Sequence, residues 1–372
     1  MIKICHVTSV HDTTDIRIFQ KECVSLAKNQ TYEVCLVGPG IGARVEQNVK
    51  IIGAGEKPQS RKERMLGYSK KVMCKAIEQN ADIYHLHDPE LILYAKKLKN
   101  SGKHVIFDSH ELYTDQIMNK TYIPVFLRYV ISKAYRFIEN RACHYFDAVI
   151  FPCKINGKHP FHGRVKKCEF INNYPMLKEL EQFNNGLIEK TDSVCCAGGL
   201  TKERGIEVLI KACYKAHVKL ILAGEFSPEE FKKEIMSSKE FSIVDYRGKC
   251  HRSEVYEIYK EASIGISNIL HTGQYSTLFN LPTKVYEYMM MSLPFIISDF
   301  DYAKEVIDEY KCGIVVKPDN IDEIKDAILY LIDNKDKARE MGENGRKAVE
   351  EKYNWGEEEK KLYQLYNNIL FS

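Results

Sequence analysis

In the stretch Leu281-Pro282-Thr283-Lys284-Val285-Tyr286-Glu287-Tyr288, a cation and a carboxylate stand three residues apart, just behind a proline. Pro282 suits the first turn of a helix, because its missing N–H would have no intrahelical partner there anyway. Val285, Tyr288 and Met289 continue with helical apolar spacing, and Pro294 to Ile297 reads as a buried parallel strand. A helix start offers free N–H groups and a positive dipole end to an anion. Lys284 adds a full cation in that turn, where the dipole disfavours it, and such a placement asks for an anionic partner. Glu287 lies one turn on along the same side and could accept hydrogen bonds from two neighbouring hydroxyls, such as those of a ribose. A phosphate cradle beside a diol acceptor describes a nucleotide-sugar site. The same pattern also fits a buried α/β helix whose Lys284 and Glu287 face water.

A second candidate follows the strand Ser193–Cys196, in Ala197-Gly198-Gly199-Leu200-Thr201-Lys202-Glu203-Arg204-Gly205. Paired glycines let backbone approach a ligand closely. Lys202 and Arg204 bring cations to the next helix start, and Arg204 could grip a phosphate with two parallel hydrogen bonds. His85 and His87 alternate on one strand and share a face, with Asp88 after them. No third ligand stands at a recognisable metal-site spacing, so structural or site-lining roles fit them better. Asp108 ends a strand and could act in chemistry or cap the following segment. Gly38-Pro39-Gly40-Ile41-Gly42-Ala43 formally fits a dinucleotide fingerprint. It follows the second strand, opens no good helix and lacks the acidic residue about 20 positions on, so it reads as a loop.

The elements that must position these groups alternate along the whole chain. Strands Ile2–Thr8, Glu33–Val37, Val49–Ile52, Ile83–His87, His104–Asp108 and Ala148–Pro152 are interleaved with helices Ile16–Lys28, Lys62–Gln79, Glu90–Leu98 and Val125–Tyr145. After the polar segment Asn172 to Asp192 the theme repeats. Strands Ser193–Cys196, Lys219–Leu222, Ser242–Tyr246, Ile264–Ile269 and Pro294–Ile297 then alternate with helices Ile206–Ala216, Pro228–Ser237, Arg252–Glu261 and Ala303–Tyr310. This is the pattern of βαβ units and parallel sheets, here two doubly wound domains facing each other. Ligands of such sheets lie outside the carboxyl ends of the strands, which makes a two-domain cleft the default site.

Composition narrows the class. With 372 residues, 44% hydrophobic and 28% charged, the chain has the make-up of an ordinary globular protein with ample core. The start does not read as a signal peptide and no apolar run approaches a membrane span. The twelve cysteines show no C-x-x-C spacing, which fits reduced, buried thiols in a cytoplasmic protein. Residues 1–175 carry 27 Lys and Arg against 17 Asp and Glu, a net +10, whereas residues 176–372 carry 27 against 34, a net −7. The basic front half points to an anionic partner, whether membrane surface, phosphate ligand or nucleic acid, or to an ordinary lysine-rich surface. The stretch Tyr122 to Tyr145 mixes aromatics with Arg128, Lys133, Arg136 and Arg141; it could lie on such a membrane, although half of it is expected to cover the sheet.

Taken together, Gly-Gly-Leu-x-x-x-Arg-Gly, Ile221-Leu222-Ala223-Gly224-Glu225, Tyr246-Arg247-Gly248 and Leu281-Pro282-Thr283-Lys284-x-x-Glu287 resemble the donor half of family-four glycosyltransferases. The front half agrees, with His6 to His11, Arg17-Ile18-Phe19-x-Lys21-Glu22, His85-x-His87-Asp88 and Asp108-Ser109-His110-Glu111, as does Tyr353-Asn354-Trp355 before the last helix. The resemblance implies a GT-B fold: residues 1–175 as the acceptor-side domain, completed by helix 356–372, and residues 176–355 as the nucleotide-sugar domain. It implies that Glu287 binds the donor ribose and that Gly199, Arg204, Thr283 and Lys284 hold the diphosphate. His110 becomes the catalytic histidine, with His11 and Arg17 on the acceptor side. Two positions depart from the family pattern. Phe279 stands where the first glutamate of E-x7-E is expected, and Gly199 where an arginine of the phosphate pair is expected.

The resulting expectation is a retaining hexosyltransferase that moves a sugar from a UDP- or GDP-sugar to a glycan or polyprenyl-linked acceptor, in cell-surface or capsular polysaccharide synthesis. No cofactor, metal or nucleic-acid partner is expected, and the location would be cytoplasmic, at the inner face of the plasma membrane. A GT-B nucleotide-sugar epimerase and a non-catalytic nucleotide-sugar-binding subunit are the alternatives.

Overall fold

The computed structural model describes every residue except 121–122, 156, 180–189, 273–274, 276–277 and 372. Tyr122, at the head of the aromatic-basic stretch, and residues 180–189 of the polar segment between the two strand series lie outside the described residues. The chain divides into two compact units, Met1–Asn173 with Gly356–Ser372, and Tyr174–Trp355.

The first unit carries eight strands: β1 (Ile2–Val7), β2 (Tyr32–Gly38), β3 (Ala43–Glu46), β4 (Val49–Gly53), β5 (Ile83–Leu86), β6 (His104–Asp108), β7 (Ala148–Phe151) and β8 (Lys167–Phe170). Their order in the sheet is β3-β4-β2-β1-β5-β6-β7-β8. All pairs are parallel except β3 with β4. The strand order therefore reverses between β1 and β5, and the crevice such a reversal opens lies beyond Val7 and Leu86. Cys5, Val7, Tyr84, Leu86, Phe107 and Val149 cover one face of the sheet under helices. The formal glycine fingerprint is a loop that runs into β3, an antiparallel edge strand that pattern reading did not pick out.

The second unit has β9 (Thr191–Ala197), β10 (Lys219–Ala223), β11 (Val244–Gly248), β12 (Ala262–Ser267), β13 (Phe295–Ser298) and β14 (Gly313–Val316). They form an all-parallel sheet ordered β11-β10-β9-β12-β13-β14. Here the order reverses between β9 and β12, so the crevice opens at Gly198. Apolar side chains pack on both faces of this sheet, as continuous strand runs such as Ile264 to Ile266 require. Helix Thr283–Met290 is buried from Val285 onward, leaving only its first turn accessible. Its Tyr288 lies so close to β12 that a Cβ on Gly265 would stand 2.5 Å from the ring, so only glycine lets the helix settle there.

All twelve cysteines are free thiols. Among the described residues no helix is long and apolar enough to cross a membrane. Helix Val125–Cys143 departs from expectation: only Glu139, Ala142 and Cys143 are buried, while Val125, Phe126, Tyr129 and Phe137 are exposed. Its cations are partly engaged. Arg128 folds back on the Ile123 carbonyl and Arg136 pairs with Glu139, whereas Lys133 sits over the Tyr129 ring.

Candidate active site

In the second unit, β9 delivers the chain to Gly198, whose φ of +123° lies in the region open to glycine. A Cβ there would stand 3.4 Å from Arg204 Nη1 and 3.5 Å from Lys284 Nζ. Two cations from different helix starts thus converge over an exposed Gly198-Gly199 backbone. Arg204 stacks over Tyr275, 6.0 Å from the ring centre, and Lys284 Nζ reaches Cys196 Sγ at 3.5 Å. Among the described residues neither cation is paired with a carboxylate, and the nearby first turn at Thr283 is accessible. This arrangement can hold a diphosphate. Lys202, by contrast, points to solvent.

Glu287 does not face water, as the plain-helix alternative would have it. It is only 8% exposed, and its carboxylate accepts from Arg252 Nη1 at 2.9 Å and from the Tyr259 hydroxyl at 3.0 Å. Arg252 also donates to Glu179 at 2.7 Å, and Tyr256 donates to the same oxygen at 2.7 Å. A carboxylate offers about four acceptor positions, so Glu287 retains capacity for hydroxyls while being held rigid. Arg252 and Glu179 were not legible beforehand: they lie 35 and 108 positions from Glu287 and carry no motif. Phe279 is half-buried.

In the first unit, β6 ends on Asp108 and β1 leads into Thr8 to His11. His110 Nε2 lies 3.0 Å from Asp108 Oδ2, and Arg17 grips both oxygens of that carboxylate at 2.8 and 2.9 Å. Burial opposes the charge on Asp108, but the Arg17 guanidinium and His110 hold its carboxyl well below the usual range. An ionised carboxylate only accepts, so His110 Nε2 carries a proton toward Asp108 and Nδ1 is the ring nitrogen left to face a substrate. Arg17 also donates to the Ile171 carbonyl and is buried. It braces His110 from behind and does not line the cavity described below. His11 does: its ring is 5.1 Å from that of His110, and it faces Asp15 and Asp88. Despite burial, Asp15 and Asp88 raise its pKa. Asp88 is itself fixed by Thr8 Oγ1 at 2.9 Å and the Ser9 N–H at 2.6 Å, which locks the reversal between β1 and β5.

His11, His110 and Asp88 sit at one side of a cavity of about 680 Å³. Its walls include Met65, Leu66, Leu93, Ile117, Ile131 and Ile138. Arg61, Arg64 and Lys120 bring cations and Glu90 and Glu111 carboxylates. Arg64 is paired with Glu90 at 2.7 Å. Burial, together with Arg61 and Arg64, lowers the Lys120 pKa to about 8. The cavity is therefore amphiphilic, lined by apolar side chains together with cations and carboxylates. Its lining comes from five separate segments, which is why no sequence signal announced it.

Residues 178–348 match the family model described as glycosyl transferases group 1. The second unit is thus similar to the group 1 glycosyl transferases. The curated relative is an uncharacterized glycosyltransferase of Methanocaldococcus jannaschii, 24% identical over 212 residues, which are 55% of this chain and 51% of that protein. The chain thus spans about half the length of that relative. Among solved structures, sucrose-phosphate synthase from Thermosynechococcus elongatus superposes with a TM-score of 0.76 at 15% identity, covering 100% of this chain and 99% of that one. Anabaena HepE, solved in complex with UDP-glucose, gives 0.70 at 12% identity, over 99% of this chain and 100% of that one. The chain therefore has the two-domain GT-B fold.

Proposed function

We propose that this protein is a retaining glycosyltransferase that takes a hexose or hexose derivative from a UDP- or GDP-sugar. The convergence of Arg204 and Lys284 over the Gly198-Gly199 backbone carries the reading, and the group 1 match of the same residues supports it. The HepE structure holds UDP-glucose, which supports a nucleotide-sugar donor. Phosphate-binding cations that are not already neutralised are suited to stabilise the diphosphate as it leaves, the step at which charge develops. Glu287 would receive the ribose hydroxyls, and His110, with its proton fixed toward Asp108, would serve the transferred sugar and acceptor through Nδ1. Catalysis would rest on positioning and on the protein's own cations.

The acceptor is a lipid-linked glycan, in cell-surface or capsular polysaccharide synthesis at the inner face of the plasma membrane. The amphiphilic cavity beside His110 supports a substrate with an apolar chain and an anionic head. The exposed apolar residues of helix Val125–Cys143 support docking on a lipid surface. Incubation with labelled nucleotide sugars and extracted membrane lipids tests the reading. Transfer to lipid upholds it, interconversion of the free nucleotide sugar marks an epimerase, and binding without turnover marks a non-catalytic subunit.

A further inference from the structure

Behind the histidine pair lies a second cluster that the proposed reaction does not use. His6 is on β1, Glu22 on the helical turn Ile16–Cys23, His85 on β5 and His87 just past its end. The parallel register sets His6 directly beside His85, and the two-residue alternation brings His87 to the same face. All four residues are fully buried. Glu22 Oε2 stands 3.8 Å from His6 Nδ1, 3.9 Å from His85 Nδ1 and 3.9 Å from His87 Nε2. His6 Nδ1 and His87 Nε2 are 3.0 Å apart, and the four ligand atoms lie within 4.8 Å of one another.

Hydrogen bonding within the protein leaves this cluster incompletely satisfied. Among the described residues, neither oxygen of Glu22 accepts a hydrogen bond, although Arg17 Nε is 3.2 Å from Oε1, and His85 Nε2 has no hydrogen-bond partner. Buried polar atoms are normally paired, and leaving them without a partner in a protein core is costly.

We propose that His6, Glu22, His85 and His87 bind a divalent transition-metal ion, zinc by preference. Three imidazoles and one carboxylate are a zinc-type donor set. Tetrahedral bonds of about 2.0–2.2 Å place ligand atoms about 3.4 Å apart, within the spread seen here. The outer partners fit as well. Metal-bound histidines pass their second ring nitrogen to a carboxylate or hydroxyl; His87 Nδ1 faces Asp108 Oδ2 at 3.4 Å, and His6 Nε2 faces the Tyr366 hydroxyl at 3.4 Å. That hydroxyl now meets His85 Nδ1 at 2.9 Å and would turn wholly to His6 on metal binding. Four protein ligands close the site, so the ion is a structural staple joining β1, the first helical segment and β5, not a Lewis acid for the reaction. Through His87 it also steadies Asp108, and hence His110.

The test is metal analysis of the full chain, purified without a metal-affinity step and desalted. Wild type should retain a stoichiometric amount of zinc, and both Glu22→Gln and His85→Ala should fall to trace. Tyr366→Phe should keep its metal, since the hydroxyl is an outer partner. As a check independent of variant folding, wild type refolded from urea with cobalt should show the visible bands of tetrahedral coordination, and refolding with zinc should raise its melting temperature. Trace metal in wild type together with no cobalt bands and an unchanged melting temperature overturns the proposal. So does zinc that persists in both ligand variants. Neither readout involves turnover, so the result stands apart from the proposed reaction.

Discussion

Arg252 holds Glu287 through Nη1 at 2.9 Å while its Nη2 holds Glu179 at 2.7 Å, one guanidinium between two buried carboxylates. Removing it in Arg252→Met would leave both acids without their cation. Because Arg252 is itself a third exposed, the loss should be about 1–3 kcal/mol of unfolding free energy, less than for a fully buried pair. Urea unfolding checks this. Glu287→Gln keeps the shape of the side chain and should instead erode discrimination between ribose and 2′-deoxyribose nucleotides. Equal discrimination by wild type and variant would remove Glu287 from the ribose.

Arg204→Ala should weaken binding of the free nucleoside diphosphate by about 10 to 150-fold, the loss of a charge-assisted contact of about 1.5–3 kcal/mol. Stability should barely change, because Arg204 is partly exposed and, among the described residues, its guanidinium rests on the Tyr275 ring. Calorimetric titration of UDP and GDP, beside a melting curve, separates the two effects.

His110→Ala should lower turnover by about 100-fold or more while donor affinity stays within about twofold. The histidine belongs to the first unit and the Arg204–Lys284 pair to the second. A large loss of nucleotide affinity would show that His110 serves the donor site instead.

Lipid binding should respond to both the exposed helix face and pH. Replacing Phe126, Tyr129 and Phe137 with serine should reduce partitioning onto anionic liposomes without unfolding, since all three are exposed. Lys120 is charged below about 8 and neutral above, so phosphate-bearing lipids should bind more weakly as pH rises beyond that value. A bound phosphate pulls the transition upward, and loss of one charge should cost about 1 kcal/mol, roughly fivefold. Co-sedimentation at pH 7 and pH 9.5 measures it. Unchanged binding would remove Lys120 from the anion.

The parallel sheets were legible because their strands are continuous apolar runs separated by helical periods; Ile206–Ala216 and Arg252–Glu261 fall within the very bounds the spacing gave. The edge strands β3 and β8 were not, since half-buried strands such as Lys-Cys-Glu-Phe carry no clear alternation. In the donor region, local motifs pointed to Gly198, Arg204 and Lys284, which the fold brings together. Partners brought in from afar escaped. Arg252 beside Glu287, Glu22 among three histidines and the segments around the cavity meet only through tertiary structure, and no spacing rule encodes them. Helix Val125–Cys143 was expected half in the core because its aromatics look like core residues. The fold instead turns most of them outward.

The most direct measurement is product analysis with a panel of labelled nucleotide sugars and membrane lipids, comparing wild type with Arg204→Ala. The account predicts release of the nucleoside diphosphate, label transferred to a lipid-linked product with the anomeric configuration of the donor, and loss of both in the variant. Transfer with inverted configuration, or equal transfer by the Arg204→Ala protein, would contradict it.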